Sequence, residues 1–223
     1  MPTAIEVVQG TKHGREKCPF ACCVPEEAEA EREKLAKRPK LVLRDLIQCY
    51  IDHFRKILKG SLGVYSGQSL SKVLEAAGNC SCPICGRRHK HQWRFPHEAA
   101  KVFTKTLKHE FSNGIPKGTS FEAMFKRIDR IGDGIFGVGP LVKYDTTLRL
   151  VVHFGIPASD NVYLHAHAVI PGVKLKGLIP AEDFAPDFAI MGICSYEIED
   201  FLCIFNEIIK SRNIKVLRNY PCK

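Results

Sequence analysis

No stretch of this sequence stays apolar for the roughly 18 to 20 residues that a membrane-spanning helix needs. The longest apolar runs, such as Leu148 to Phe154, are interrupted by charge or glycine well before that length. A membrane partner is therefore not expected. A secretory leader is not expected either, because Met1 to Gln9 lacks a basic start followed by an apolar run, and Lys12, His13, Arg15, Glu16 and Lys17 follow at once. Acidic residues are in deficit: 24 Asp and Glu stand against 33 Lys and Arg, for a net charge of +9. Such an excess favours a polyanionic partner through counterion release and long-range steering. No internal repeat is visible, and a hydrophobic content of 45% suffices to close a core. These features together describe an intracellular, basic, folded protein.

Ten cysteines are present, and without a leader they do not read as the disulfide framework of a small secreted domain. Cys80, Cys82 and Cys85 lie within six residues of one another, which makes metal binding the better account. Cys49, Cys194 and Cys203 sit inside apolar helical patterns, where a thiol behaves as a small buried hydrophobe.

The chain divides into an irregular arm and charged helix over residues 1–39, then a single helical domain over 40–223. Pro2, Gly10, Gly14, Pro19 and Pro25 break up the arm. Glu26 to Arg38 is rich in Glu, Lys, Arg and Ala with its acids mostly first, which suits a helix dipole, and Pro39 ends it. Leu43, Leu46, Ile47, Tyr50, Ile51, Phe54, Ile57 and Leu58 fall at spacings of three and four, so one buried helix face is predicted over Leu41 to Leu58, broken by Gly60 and Gly63. Ser69 to Ala77 forms a short helix closed by Gly78. Pro96 to Phe111 resumes the helical period, and Thr119 with Glu122 has capping-box spacing ahead of the next helix. Pro140 starts another helix that stops at Gly155. A loop-rich stretch over Ile156 to Ile193 carries a candidate strand at Val162 to Val169, and Ser195 caps the last helix. The expected fold is all-α, about six or seven helices, with a small zinc-binding insertion at about 79–95 and a helical hairpin at about 121–155.

The insertion reads NCSCPICGRRHKH from Asn79 to His91. Cys82-Pro-Ile-Cys85-Gly86 has the form of a zinc knuckle: two thiolates two residues apart reach one tetrahedral ion, and Gly86 permits the turn that points amides at sulfur. Cys80, His89 and His91 are the nearest further ligands, with Cys18, Cys22 or Cys23 of the arm as others. Four or five protein ligands leave no open position, so a structural zinc is expected. Arg87, Arg88, Lys90, Trp93 and Arg94 flank the knuckle, and cations beside an exposed aromatic suit phosphate and base contacts, whereas Trp93 packed on the knuckle would be structural.

Residues 125–154 read FKRIDRIGDGIFGVGPLVKYDTTLRLVVHF. A helix ending near Ile131, the turn Gly137-Val138-Gly139 and a helix from Pro140 resemble a helix-hairpin-helix motif. Glycines let backbone approach a phosphate, and N–H groups at the following helix start face the anion with a favourable dipole. Lys143 joins these as a candidate cation. GVGP followed by YDTTLR resembles the hairpin and catalytic-aspartate signature of the helix-hairpin-helix DNA glycosylases over about thirty residues. The resemblance implies Asp145 as a catalytic carboxylate that stabilises an oxocarbenium-like transition state or activates water. The Schiff-base lysine of the lyase members falls at Leu141, so lyase chemistry is not implied. Asp145 and Arg149, four apart, can alternatively pair on one helix face. His165 and His167 alternate as on a strand, and Ile170 to Lys174 reads as a turn.

Three functions are compatible with these residues. The first is a zinc-containing protein that binds nucleic acid, DNA ahead of RNA, through the hairpin and the basic residues around the knuckle. The second is a base-excision enzyme acting through Asp145. The third is a zinc-knotted adaptor for another protein.

Overall fold

The computed structural model describes residues 25–89, 92–164 and 177–218. The arm with Cys18, Cys22 and Cys23, then Lys90 and His91, His165 and His167, and the turn at 170–174 lie outside the described residues.

The described chain is mostly helical: α1 (Glu26–Ala36), α2 (Leu43–Cys49), a π-helical turn (Tyr50–Phe54), α3 (Arg55–Gly63), α4 (Leu70–Gly78), α5 (His97–Glu110), α6 (Phe121–Asp133), α7 (Pro140–Phe154), α8 (Pro186–Ile190) and α9 (Ser195–Arg212). Among the described residues the one sheet is an antiparallel pair, β1 (Asn161–Leu164) and β2 (Gly177–Pro180), with Val162 opposite Ile179. The expected all-α class holds at this level. β2 and α8 carry no pattern long enough to have been read from sequence.

Buried residues form two clusters. In the first, Tyr50 and Phe54 pack edge-on against Phe201 and Phe205 of α9, with ring centroids 5.9 and 5.7 Å apart. Burying such a side chain is worth about 1.5 to 3 kcal/mol, so this aromatic seam dominates that core. The second gathers α4, α5, α6 and α7 around Phe103, Leu107, Phe111, Met124, Ile128 and Leu150. Strand β1 serves both, because successive side chains point to opposite faces. Val162 and Leu164 join the first cluster, while Tyr163 stacks on Tyr144 of α7 at 4.8 Å. Both candidate segments belong to the second cluster.

Helix ends differ in detail from the sequence reading. Gly60 does not interrupt the second helix, which continues from α2 through the π turn into α3 and ends at Gly63. Ser120, not Thr119, caps α6, its Oγ accepting from the Ala123 amide at 3.2 Å; Thr119 Oγ1 instead donates to the Pro116 carbonyl. Cys194 holds the cap position of α9, and Glu197 accepts from its amide at 3.0 Å. Ser195 donates instead to the Ser159 carbonyl. Cys49 is buried as expected, but Cys194 and Cys203 are exposed. Their S–H groups donate to the buried carboxylates of Glu197 and Glu199.

Candidate functional site

The segment between α4 and α5 starts where α4 ends at Asn79. Cys80 follows with a left-handed φ of +53°, turning the chain back so that the His89 amide donates to the Cys80 carbonyl at 2.9 Å. Inside this loop the Gly86 amide donates to the Cys82 carbonyl at 2.9 Å, and the Ile84 amide points at Cys82 Sγ at 3.4 Å. Gly86 has φ +70°, the conformation that admits so tight a turn. An amide aimed at sulfur is the arrangement expected of the Cys82-Cys85 turn.

The other expected ligands are distributed differently. Cys80 is fully buried and hydrogen-bonded to the Arg149 guanidinium, and burial pushes its thiol up to about 11. His89 Nε2 lies 3.2 Å from the Tyr65 hydroxyl, whose single proton goes to the Ser81 carbonyl at 2.7 Å. With that proton so placed, Nε2 of a neutral His89 is the donor and the ring's lone pair lies on Nδ1. Among the described residues, no group of three or more His, Cys, Asp or Glu side chains gathers closely enough to hold a metal ion.

Arg88 donates to the Phe95 carbonyl at 2.5 Å and approaches His97 Nδ1 at 3.4 Å, so this guanidinium braces the loop against the start of α5. A cleft of about 450 Å³ opens beside the Cys82-Cys85 turn, lined by Lys72, Glu75, Asn79, Cys82, Arg88 and His97. His97 was not singled out by sequence; only its position just after Pro96 could have drawn attention to it. Arg87 and Arg94 are exposed. Trp93 is 65% exposed, with the Arg94 guanidinium 5.0 Å from its ring.

The turn joining α6 to α7 spans residues 134–139. Val138 is its anchor, its side chain buried and its amide donated to the Ile135 carbonyl at 3.1 Å. Val138 is therefore not itself an open donor. Gly137 takes φ +93°, and among the described residues neither its amide nor that of Gly139 has a hydrogen-bond acceptor. Gly139 is the N-cap residue of α7 and offers no side-chain cap, so the amides of the first helical turn keep the positive end of the dipole uncovered. Phe136, at the tip, is 98% exposed.

Gly137 sits directly on the start of α5. A Cβ at this position would lie 3.1 Å from Pro96 Cγ and 3.4 Å from Ala99 Cβ. This packing brings the glycine turn against the start of α5, although some forty residues separate them in sequence.

Lys143 and Asp145 are turned away from this surface. Lys143 is 6% exposed and its ammonium donates to Asp129 at 2.9 Å and to Asp133. Burial works against its charge, but those two carboxylates raise its pKa. Lys143 thus ties α7 to α6 and is not available to a phosphate, a correction to its expected place among the binding cations. The physical reason is Gly132, whose missing side chain leaves room for the lysine stem; a Cβ there would stand 2.6 Å from Lys143 Cε. Asp145, with its side chain 12% exposed, accepts from Arg149 at 3.5 Å. Arg149 also donates to Gln92 Oε1 at 2.8 Å and lies over the Tyr65 ring. Burial disfavours its charge, but its polar surroundings, the Asp145 carboxylate among them, more than offset this and raise its pKa. Asp145, Arg149, Cys80 and Tyr65 form one interior network. The chain matches no family model, no curated protein and no solved structure.

Proposed function

We propose that this chain binds nucleic acid, DNA ahead of RNA, through a helix-hairpin-helix formed by α6, the 134–139 turn and α7, with a neighbouring zinc knuckle. The observation that carries this reading is the packing of Gly137 on Pro96 and Ala99, which sets unacceptored glycine amides against the start of α5, just after Trp93 and Arg94 in the chain. Backbone amides at a helix start receive a phosphate oxygen, and Arg87 and Arg94 add the charge that holds a polyanion. Contacts of this kind track the sugar-phosphate backbone and not the base sequence.

Zinc would be held by Cys82 and Cys85, whose turn already directs an amide to sulfur, with His89 Nδ1 and His91 as the nearest further donors. Tyr65, accepting from His89 Nε2, would act as the outer partner that orients a ligating imidazole. Cys80, bound to Arg149, is not in this set. The ion would supply cross-linking of the loop, not chemistry. Asp145 pairs with Arg149, and no base-excision step is proposed for it.

Binding of labelled DNA and RNA oligonucleotides at two salt concentrations, with metal analysis of the purified protein, tests the reading. Affinity should fall steeply as salt rises, and replacing Arg87 and Arg94 with Ala should reduce the logarithmic salt slope by about one per cation removed. Absence of binding at low salt overturns the proposal. Salt-insensitive binding to a protein would point to the adaptor instead.

A further inference from the structure

Two aromatic rings on this surface are left in water where an ordinary fold would bury them. Phe136 is 98% exposed and Trp93 is 65% exposed, although burying either would stabilise the fold. Both flank the same contact. Phe136 precedes Gly137, Gly137 rests on Pro96, and Trp93 stands three residues before Pro96. From the fixed spacing of consecutive Cα atoms, the two backbones are at most about 20 Å apart. Trp93 carries the Arg94 cation against its ring at 5.0 Å, so a flat hydrophobic face and a positive charge are presented together.

We infer that Phe136 and Trp93 are stacking platforms for unpaired bases, and that this surface takes single-stranded in preference to fully paired nucleic acid. The inference rests on the phosphate-binding reading above and adds the class of strand. Every base has a π-face, so stacking on an aromatic ring is tolerant of sequence, and exposed aromatics interleaved with cations are the usual means of holding a single strand. In a duplex those faces are already covered by neighbouring bases, and an outward ring meets one only if the strand is opened or a base is displaced. The occupant must also be anionic. The chain has a net charge of +9, Arg87 and Arg94 are exposed, and the Asp133 carboxylate at the end of α6 is tied to Lys143. A purely apolar partner would leave these guanidinium groups and the Gly137 and Gly139 amides without counterparts.

Trp93 is the only tryptophan in the chain, so its emission reports on this surface alone. The experiment titrates the full chain with an oligothymidylate and with a duplex of equal length. It reads Trp93 fluorescence and the anisotropy of labelled strands, for the wild type, Phe136→Ala and Phe136→Tyr. The single strand should bind more tightly than the duplex and quench Trp93. Phe136→Ala should weaken single-strand binding by roughly five- to a hundredfold, leave duplex binding unchanged, and be rescued by Phe136→Tyr. Equal affinity for the two forms, with Phe136→Ala indistinguishable from wild type, overturns the stacking role and leaves the backbone-binding reading standing. Loss of single-strand and duplex affinity to the same degree overturns the strand preference. Absence of binding to either polymer at low salt overturns both. Self-association that is insensitive to salt and abolished by Phe136→Ala would assign the ring to a protein contact and equally overturn the inference.

Discussion

Gly137 lies so close to Pro96 that a methyl group in its place would stand 3.1 Å from the proline ring. At φ +93° the same residue also occupies backbone space that other L-residues rarely enter. Gly137→Ala should therefore lower stability by about 1 to 2 kcal/mol from the backbone alone, with added displacement from α5. Gly139→Ala is the matched control. Its φ is −85° and nothing lies within 4 Å of a Cβ built there, so only the loss of a favoured N-cap residue should count, about 0.5 to 1 kcal/mol and less than for Gly137→Ala. Thermal unfolding of the pair decides the point.

Lys143 gives a prediction of the opposite kind. Because its ammonium is held by Asp129 and Asp133, Lys143→Met should reduce stability by about 1 to 2 kcal/mol, less than for a wholly buried pair because both carboxylates reach solvent. It should leave the salt slope of nucleic-acid binding unaltered. A slope reduced by one in that variant would return Lys143 to the binding surface.

The cysteines separate by where their thiols point. Cys82→Ser and Cys85→Ser should each lose bound zinc and the stability that goes with it, whereas Cys80→Ser should retain one ion per chain. Metal content by mass spectrometry under native conditions reads this directly. Equal metal loss in all three would place Cys80 among the ligands.

These outcomes show where local sequence patterns sufficed. The bounds of α7 were legible because Pro140 and Gly155 act within one turn of the chain, and Gly155 does adopt the left-handed C-cap conformation. The caps at Ser120 and Cys194 were each displaced by one residue: Thr119 turns back to the Pro116 carbonyl in its own turn, and Ser195 is drawn off by the distant Ser159 carbonyl, leaving the cap position to Cys194. The Cys82-Cys85 turn was legible from spacing. Its neighbours were not: the inward turn of Cys80 depends on Arg149, sixty-nine positions away, and the burial of Lys143 depends on a gap at Gly132. The meeting of Gly137 with Pro96 is likewise a product of helix packing, invisible to any local period.

Acid should act first on the other core. Glu197 is fully buried at the start of α9, where Arg55 donates to both carboxylate oxygens at 2.7 and 3.0 Å. Burial opposes its charge, but the Arg55 and Cys194 hydrogen bonds outweigh this and set its pKa below the ordinary 4.5. A carboxylate whose folded pKa is depressed contributes stability above the unfolded value and loses it as pH falls through the folded value. The unfolding temperature should therefore drop as pH descends below 4.5, and Glu197→Gln should flatten that limb while lowering stability at neutral pH. An acid limb unchanged by Glu197→Gln would show that other carboxylates govern it.

The central claim, that glycine amides at the α6–α7 turn receive nucleic-acid phosphate, is tested most directly by following backbone amide resonances during titration with an oligonucleotide. Gly137, Gly139 and Leu141 should shift early and together, with the effect suppressed by salt, while Gly67 and Gly114, in turns remote in sequence from the hairpin, stay fixed. Saturable binding that leaves the Gly137 to Leu141 amides unmoved would contradict the account.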